Sequence, residues 1–334
     1  MILAILVEKI GPAVTVQDAG WEGTLAMGLS RGGAADTRAL AEAWALIGER
    51  DTAVLEMAGM GGRFKVLAPA RIALTGAPMG ATLDNAHLLW NGVHCVEAGQ
   101  VLEIETARTG AYGYLAIGGG FVTPRFYGSA STHRGAGLGH VVQVGDTLAI
   151  GTDTKPDRVG LVLPSVRQNS TPIRVVATAH TRLFSHDVRR AFEETTFERS
   201  ARGNRQGVAL ETGMSFALPG GQSIPSETVI PGDIQVPGQG APFALLADSQ
   251  TTGGYPRIAA ILPCDLPRVA QAIAGTQLRF KFVTREDGIA AELAERKVRS
   301  GLGARCVPIL RDPMHIQDLL SYQLISGAIS GKEI

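Results

Sequence analysis

The chain has 334 residues, 45% hydrophobic and 19% charged, and its 31 basic residues are balanced by 31 acidic ones. Zero net charge removes the basic footprint of a nucleic-acid or anionic-membrane binder, and no apolar run reaches membrane-spanning length. The 42 glycines and 17 prolines favour tight turns between short strands, in a chain long enough for two cores.

Met1 to Val7 is apolar and is cut short by Glu8-Lys9, without a basic start or a cleavage site. It reads as a first strand and not as a signal peptide. Residues 14–17 form a β-prone run leading to Gln17, Asp18 and a glycine-punctuated turn through Trp21. Asp36 predicts a helix N-cap, with Leu40, Trp44 and Ile47 on one face and Gly48 closing the helix. From 54 to 151 strands dominate, with hairpin turns at Asp84-Asn85 and Asn91-Gly92. Residues 141–144 and 147–150 read as strands, and 152–157 as a linker dividing the chain into 1–155 and 156–334.

The second half opens with a strand over 173–177 and a helix over 187–194. Strands at 207–210 and 215–218 follow. A helix over 265–274 takes Asp265 as its cap and Gly275 as its stop; a strand spans 278–283. The last predicted helix, 286–299, puts Ile289 and Leu293 on one face. Strands outnumber helices and no βαβ alternation appears, so the expected class is mainly β with a few covering helices.

The stretch 232–259 is the strongest candidate for a working surface. Strands over 233–236, which includes Gln235, and 243–247 flank a Pro/Gly turn. Asp248, Ser249, Gln250, Thr251 and Thr252 then give five consecutive hydrogen-bonding side chains. Gly253 and Gly254 follow, which let backbone N–H groups approach a ligand, and then Tyr255. A polar loop bonding its own backbone would read the same way.

Other motifs carry less. Gly28-Leu29-Ser30-Arg31-Gly32 fits the nucleophile-elbow pattern, but its helix starts late and the doubly wound sheet is missing. Gly135 to Gly139 precedes a strand rather than a helix, so it lacks the phosphate-cradling context, and no Walker motif exists. The seven histidines lack metal spacing, so no metal site is expected, and His133 reads as a hydrogen-bonded or surface residue. Cys95, Cys264 and Cys306 read as buried thiols in a reducing cytosol, and hence a cytoplasmic chain. Asn204 and Arg205 between glycines make a candidate carboxylate clamp and equally an ordinary loop.

Several of these segments together resemble the carboxyltransferase subdomain A/B family, which includes oxoprolinase, allophanate hydrolase and urea carboxylase components. The resemblance rests on 15–18, 31–36, 74–77, 114–120, 128–132, 204–205 and above all 234–237 followed by 246–256. It departs from the family at Trp21, Gly32, Ala35 and 177–180, which bears on substrate more than on fold. The resemblance implies two cyclophilin-like β-barrel subdomains, a smaller partner subunit of related fold and, in oxoprolinases, a third subunit. It implies an ATP-dependent amide hydrolase opening 5-oxoproline to glutamate, with ATP held by this chain or shared with the partner. The alternatives are carboxyl transfer from a carboxybiotin carried on another protein, and a non-enzymatic regulator of a kinase inhibitor. Under the first, Asp248 or Asp36 would handle a proton and Arg205 or Arg31 would clamp a carboxylate. Asn204, Gln235, Gln250, Thr251, Thr252, Gly253, Gly254 and Tyr255 would line the site, with Gln17, Asp18, Thr132 and Arg134 as further candidates.

Overall fold

The computed structural model describes residues 3–164, 172–221 and 223–309. Two sheets use residues before 150. One has six strands, with Ala4–Ile10 and Gly62–Val66 near its centre. The other has five, in the order Val14–Gln17, Val54–Ala58, Tyr112–Ile117, Ala70–Gly76, Val93–Val96. Their apolar faces enclose Val16, Leu55, Phe64, Leu74 and Leu115, all fully buried. Helix α1, Thr37–Ile47, covers the outer face of the five-stranded sheet; Thr75 fastens it by donating to the Ala39 carbonyl at 2.9 Å. Asp36 caps it by accepting from the Arg38 and Ala39 amides, and Gly48 ends it in the left-handed region at φ 80°.

The second half is built on one eight-stranded sheet. Its first member in spatial order is Gln277–Leu278 and its last is Phe280–Phe282, so Arg279 alone separates the two edges. The sheet therefore curls until its edges nearly meet, which removes exposed edges as a barrel does. Phe192 from helix α2, His186–Glu194, fills the interior with ring centroids 5.2–5.8 Å from Phe197, Phe216 and Phe280. The same hydrophobic cluster continues through Ile173, Ala272 and Leu302 to α1, so α1 is a wall common to both halves. The mainly β, barrel-like class expected from sequence is the class observed.

Several local expectations change. The 215–218 segment forms no strand, although Phe216 and Leu218 are buried, and 141–144 keeps only a single bridge from Val141 to Thr15. The predicted strand over 278–283 is split between opposite edges of the barrel. Helix α3 is shorter than predicted, Leu266–Gln271, and Asp265 makes no capping bond. Its carboxylate instead accepts from the backbone amide and the guanidinium of Arg174 at 2.7–2.8 Å, a charge-assisted set of bonds that the first turn of α3 does not offer. Helix α4, Arg285–Ser300, leaves Ile289 and Leu293 on its solvent side. The cysteines are unpaired, Cys95 is exposed and the other two are half-buried, which corrects the reading of buried thiols. Residues 152–157 are strapped down: Asp153 accepts from Arg71 at 2.7 and 2.5 Å, and Thr154 donates to Glu49. No helix among the described residues is long and apolar enough to cross a membrane.

Phe192→Ala would open a cavity among four aromatic neighbours. A loss of about 3–5 kcal/mol is expected in urea unfolding. A loss below about 1 kcal/mol would show that the barrel interior collapses onto the gap.

Candidate functional site

Strands Phe197–Asn204 and Gly207–Glu211 pair through Asn204 and Gly207, leaving Arg205 and Gln206 as a two-residue tip. Asn204 tightens it by accepting from the Gln206 amide at 2.7 Å. The tip carries Arg205 across to the first half. Its Nε and Nη2 donate to the two oxygens of Asp248 at 2.8 Å each, Nη2 also donates to the Gly33 carbonyl at 2.6 Å, and Nη1 donates to Glu56. The Asp248 amide in turn donates to the Arg205 carbonyl at 2.9 Å.

The bonds continue beyond Glu56. Its Oε2 accepts from the Ala35 amide at 2.7 Å and from the Tyr114 hydroxyl at 2.8 Å. Tyr114 accepts from the Asp36 amide at 2.8 Å, and Asp36 Oδ2 accepts from Gln271 Nε2 at 2.8 Å. Glu56, Asp36 and Tyr114 are almost wholly buried. Burial works against the Arg205 charge, but Glu56 and Asp248 hold the guanidinium above its ordinary range. Burial and then Glu56 push the Tyr114 phenol well above its usual value, and the same two causes push Tyr112 up to about 12.

A second cluster lies on the loop between Gln17 and Asp36. Asp18 accepts from Ser129 and Ser131 hydroxyls at 2.5 and 2.6 Å, from the Gly20 and Ala130 amides, and from Arg125 at 3.4 Å. Gln17 donates to the Thr132 carbonyl, and the Thr132 hydroxyl exchanges bonds with the His140 backbone. Beside them, Ser30 Oγ lies 2.9 Å from His133 Nε2, while His133 Nδ1 accepts from the Ala136 amide at 3.1 Å. A neutral ring therefore carries its proton on Nε2 and donates to Ser30, leaving the Ser30 hydroxyl hydrogen free. Arg134 is exposed next to this pair.

The 248–255 segment is joined to that loop, because the Gly32 amide donates to the Ala247 carbonyl and Thr251 donates to the Gly28 carbonyl at 3.2 Å. Gln250 donates to Gln235 Oε1 at 3.1 Å. Two groups here are buried without a partner among the described residues: Gln235 Nε2 and Ser249 Oγ. A Cβ added at Gly253 would collide with Gln235 Nε2, so the glycine lets that amide lie where it does. Thr252 and Gly253 pair with Thr228 and Glu227, the Gly254 carbonyl accepts from the Ile224 amide, and Tyr255 is half exposed.

The predicted residues thus separate into groups. Asp36, Arg205 and Asp248 belong to one buried bond chain. Gln235 and 250–255 form one strip, and Gln17, Asp18 and Thr132 brace the neighbouring loop. Arg31 stands apart, opening to a different cleft against α1. Both Asp248 oxygens are engaged by Arg205, and the Arg205 guanidinium is spent on Asp248, Glu56 and Gly33. Sequence reading missed Glu56 and Gln271, and it named Tyr114, Ser30 and His133 without the bonds that join them to their partners. Glu56 had one signal, a lone acid inside the apolar run Val54–Ala58. Among the described residues no group of three His, Cys, Asp or Glu side chains could hold a metal.

A family model, "Carboxyltransferase domain, subdomain A and B", matches residues 27–282. The chain belongs to the carboxyltransferase subdomain A and B family. Within it, the chain is 32% identical to the C component of the 5-oxoprolinase of Escherichia coli, a match covering 86% of this chain and 94% of that protein. It is 29% identical to a putative urea carboxylase of Emericella nidulans, covering 87% of this chain but 25% of that protein. The crystal structure of TTHA0988 superposes with a TM-score of 0.77 at 29% identity, over 84% of this chain and 56% of that one. The chain therefore spans about half the length of that solved relative. The matched region holds every member of the Arg205 bond chain, Gln271 included.

Two outcomes test the buried chain. Arg205→Met leaves Glu56 and Asp248 buried without their cation and is expected to cost about 3–5 kcal/mol in urea unfolding, with Arg205→Lys recovering only part. Retained stability in Arg205→Met would show that the ion pairs contribute nothing net. Tyr114 also sets a pH limit. Its folded value lies above the ordinary 10.0, so its stabilisation is complete below that pH and is lost as pH rises past it. Unfolding followed from neutral to strongly alkaline pH should show a fall that Tyr114→Phe flattens.

Proposed function

We propose that this chain is a subunit of an ATP-dependent amide hydrolase that opens 5-oxoproline to glutamate, acting with a smaller subunit of related fold. The observation that carries the reading is the near full-length match to a 5-oxoprolinase component, against one quarter of the putative urea carboxylase. ATP would supply the driving force, since a five-membered lactam recloses at little entropic cost.

The chain's own contribution is polar preorganisation. Gln235 Nε2, on a strand, and Ser249 Oγ, on the loop fixed by Arg205, are unsatisfied donors among the described residues, and such donors suit the oxygen of a small amide as charge builds on it. The Gly253-Gly254 backbone lets that amide approach. Asp248, held by Arg205 through both oxygens, acts as a positioning residue that fixes Ser249 and Gln250. Asp36 positions in the same way from the far end of the bond chain.

Neither orphan donor bonds another group among the described residues, so function and stability should separate where a substitution removes that donor alone. Ser249→Ala in the co-purified complex should lower 5-oxoproline-stimulated ATP hydrolysis by about 10²-fold while the melting temperature stays within about two degrees; Gln235→Leu, which also deprives Gln250 of its acceptor, should lower turnover as far. Full turnover in both variants would remove them from the site. A second reading, carboxyl transfer from carboxybiotin, is favoured by the urea carboxylase relative, and a streptavidin blot of the complex separates the two. A biotinylated partner, with no ATP turnover on 5-oxoproline, would decide for it.

A further inference from the structure

Away from the orphan donors, a cleft of about 460 Å³ lies between α1 and the end of α4. Leu40, Ala41 and Trp44 of α1 form an apolar wall. Facing it are Arg296 and Arg299 of α4, while Arg31, Arg50 and Arg158 come in from loops. Among the described residues the lining therefore holds five arginines and no acidic residue, in a chain whose net charge is zero.

The charges are only partly answered. Arg299 shares Glu295 with Arg38, both at 2.9 Å, and Arg296 lies 3.6 Å from Glu292. Arg158 donates to the Leu46 and Ala45 carbonyls at 2.9 and 2.8 Å, which are neutral acceptors at the end of α1. The guanidinium groups of Arg31 and Arg50 make no hydrogen bond or ion pair among the described residues. Guanidinium groups converging on a concave surface raise the local anion concentration, and their planar forks match phosphate oxygens. The volume suits a small ligand, and the Leu40–Trp44 wall suits an apolar or aromatic part beside the charged one.

We propose that this cleft binds a nucleoside triphosphate, its phosphates toward Arg31, Arg50 and Arg158 and its base toward Trp44. The choice of ligand rests on the ATP dependence in the proposed function; the cleft's affinity for a polyphosphate does not. The site needs no glycine-rich phosphate loop, in keeping with the absence of one from the sequence.

Calorimetric titration of the full chain, without turnover, tests this with ATP and with inorganic triphosphate as probes. Saturable one-to-one binding of both is expected, weakening with added salt. The Arg31 and Arg50 side chains hold nothing among the described residues, so Arg31→Ala/Arg50→Ala should fold normally and bind ATP at least about tenfold more weakly. Arg63→Ala, which removes an arginine paired with Glu8 elsewhere on the surface, should bind as the parent does. ATP should also change the tryptophan fluorescence, and Trp44→Phe should abolish that change. No saturable binding to the parent chain, or equal binding by the double variant, would overturn the assignment. So would a cleft that ignores both probes and takes only an acidic peptide. Intact ATP binding without 5-oxoproline-dependent hydrolysis would count against the proposed reaction and leave the site standing.

Discussion

One guanidinium joins the two halves. Arg205 sits at a hairpin tip of the barrel and is held by a carboxylate from each side, Asp248 from its own half and Glu56 from the other. Two acids and one cation buried together are costly unless every oxygen and N–H finds a partner. Here the partners are supplied through Gly33, Ala35 and Tyr114. The interaction is thus as much a registration device as a source of stability, since any shift of the hairpin strands a charge. Gln271 supplies a second crossing at the far end, donating to Asp36 and accepting from the Ala111 and Tyr112 amides.

This arrangement explains why the 248–255 segment is held in place although most of it is not in long strands. Asp248 is fixed by side chain and backbone to the hairpin tip, and Thr251 and the Ala247 carbonyl tie its flanks to the 28–32 loop. The loop is itself held by Asp18, whose carboxylate gathers two serine hydroxyls and two backbone amides. A rigid support of this kind lets a short loop present groups in fixed directions.

Much of the local architecture was legible because its causes are local. Asp36 and Gly48 mark α1 to the residue, and Asp84, Asn85 and Asn91 take the left-handed backbone their turns require. The family was legible too, from the run 246–256. What escaped reading depends on partners far away in sequence. Asp265 looks like a cap, but Arg174, 91 residues earlier, claims it. Arg205 looks like a free clamp until Glu56, 149 residues away, is seen to face it. Residues 215–218 have strand composition, yet they bury Phe216 and Leu218 without joining a sheet. Ile289 and Leu293 have helical spacing, and spacing alone does not say which side a neighbour covers.

The contrast between saturated and unsaturated polar groups is the strongest argument for where chemistry occurs. Around Arg205 nearly every donor and acceptor is matched, as expected of a buried network whose job is structural. Close by, Ser249 and Gln235 keep a buried donor each without a partner among the described residues, and Gly253 leaves the space beside one of them. Leaving such groups unpaired costs about 1–3 kcal/mol apiece, a cost easily removed by a Val or Leu. Next to a network so nearly matched, two idle donors on one short strip are better understood as serving a ligand oxygen than as an error of packing. A saturated frame holding an unsaturated pair is the form that preorganised binding takes.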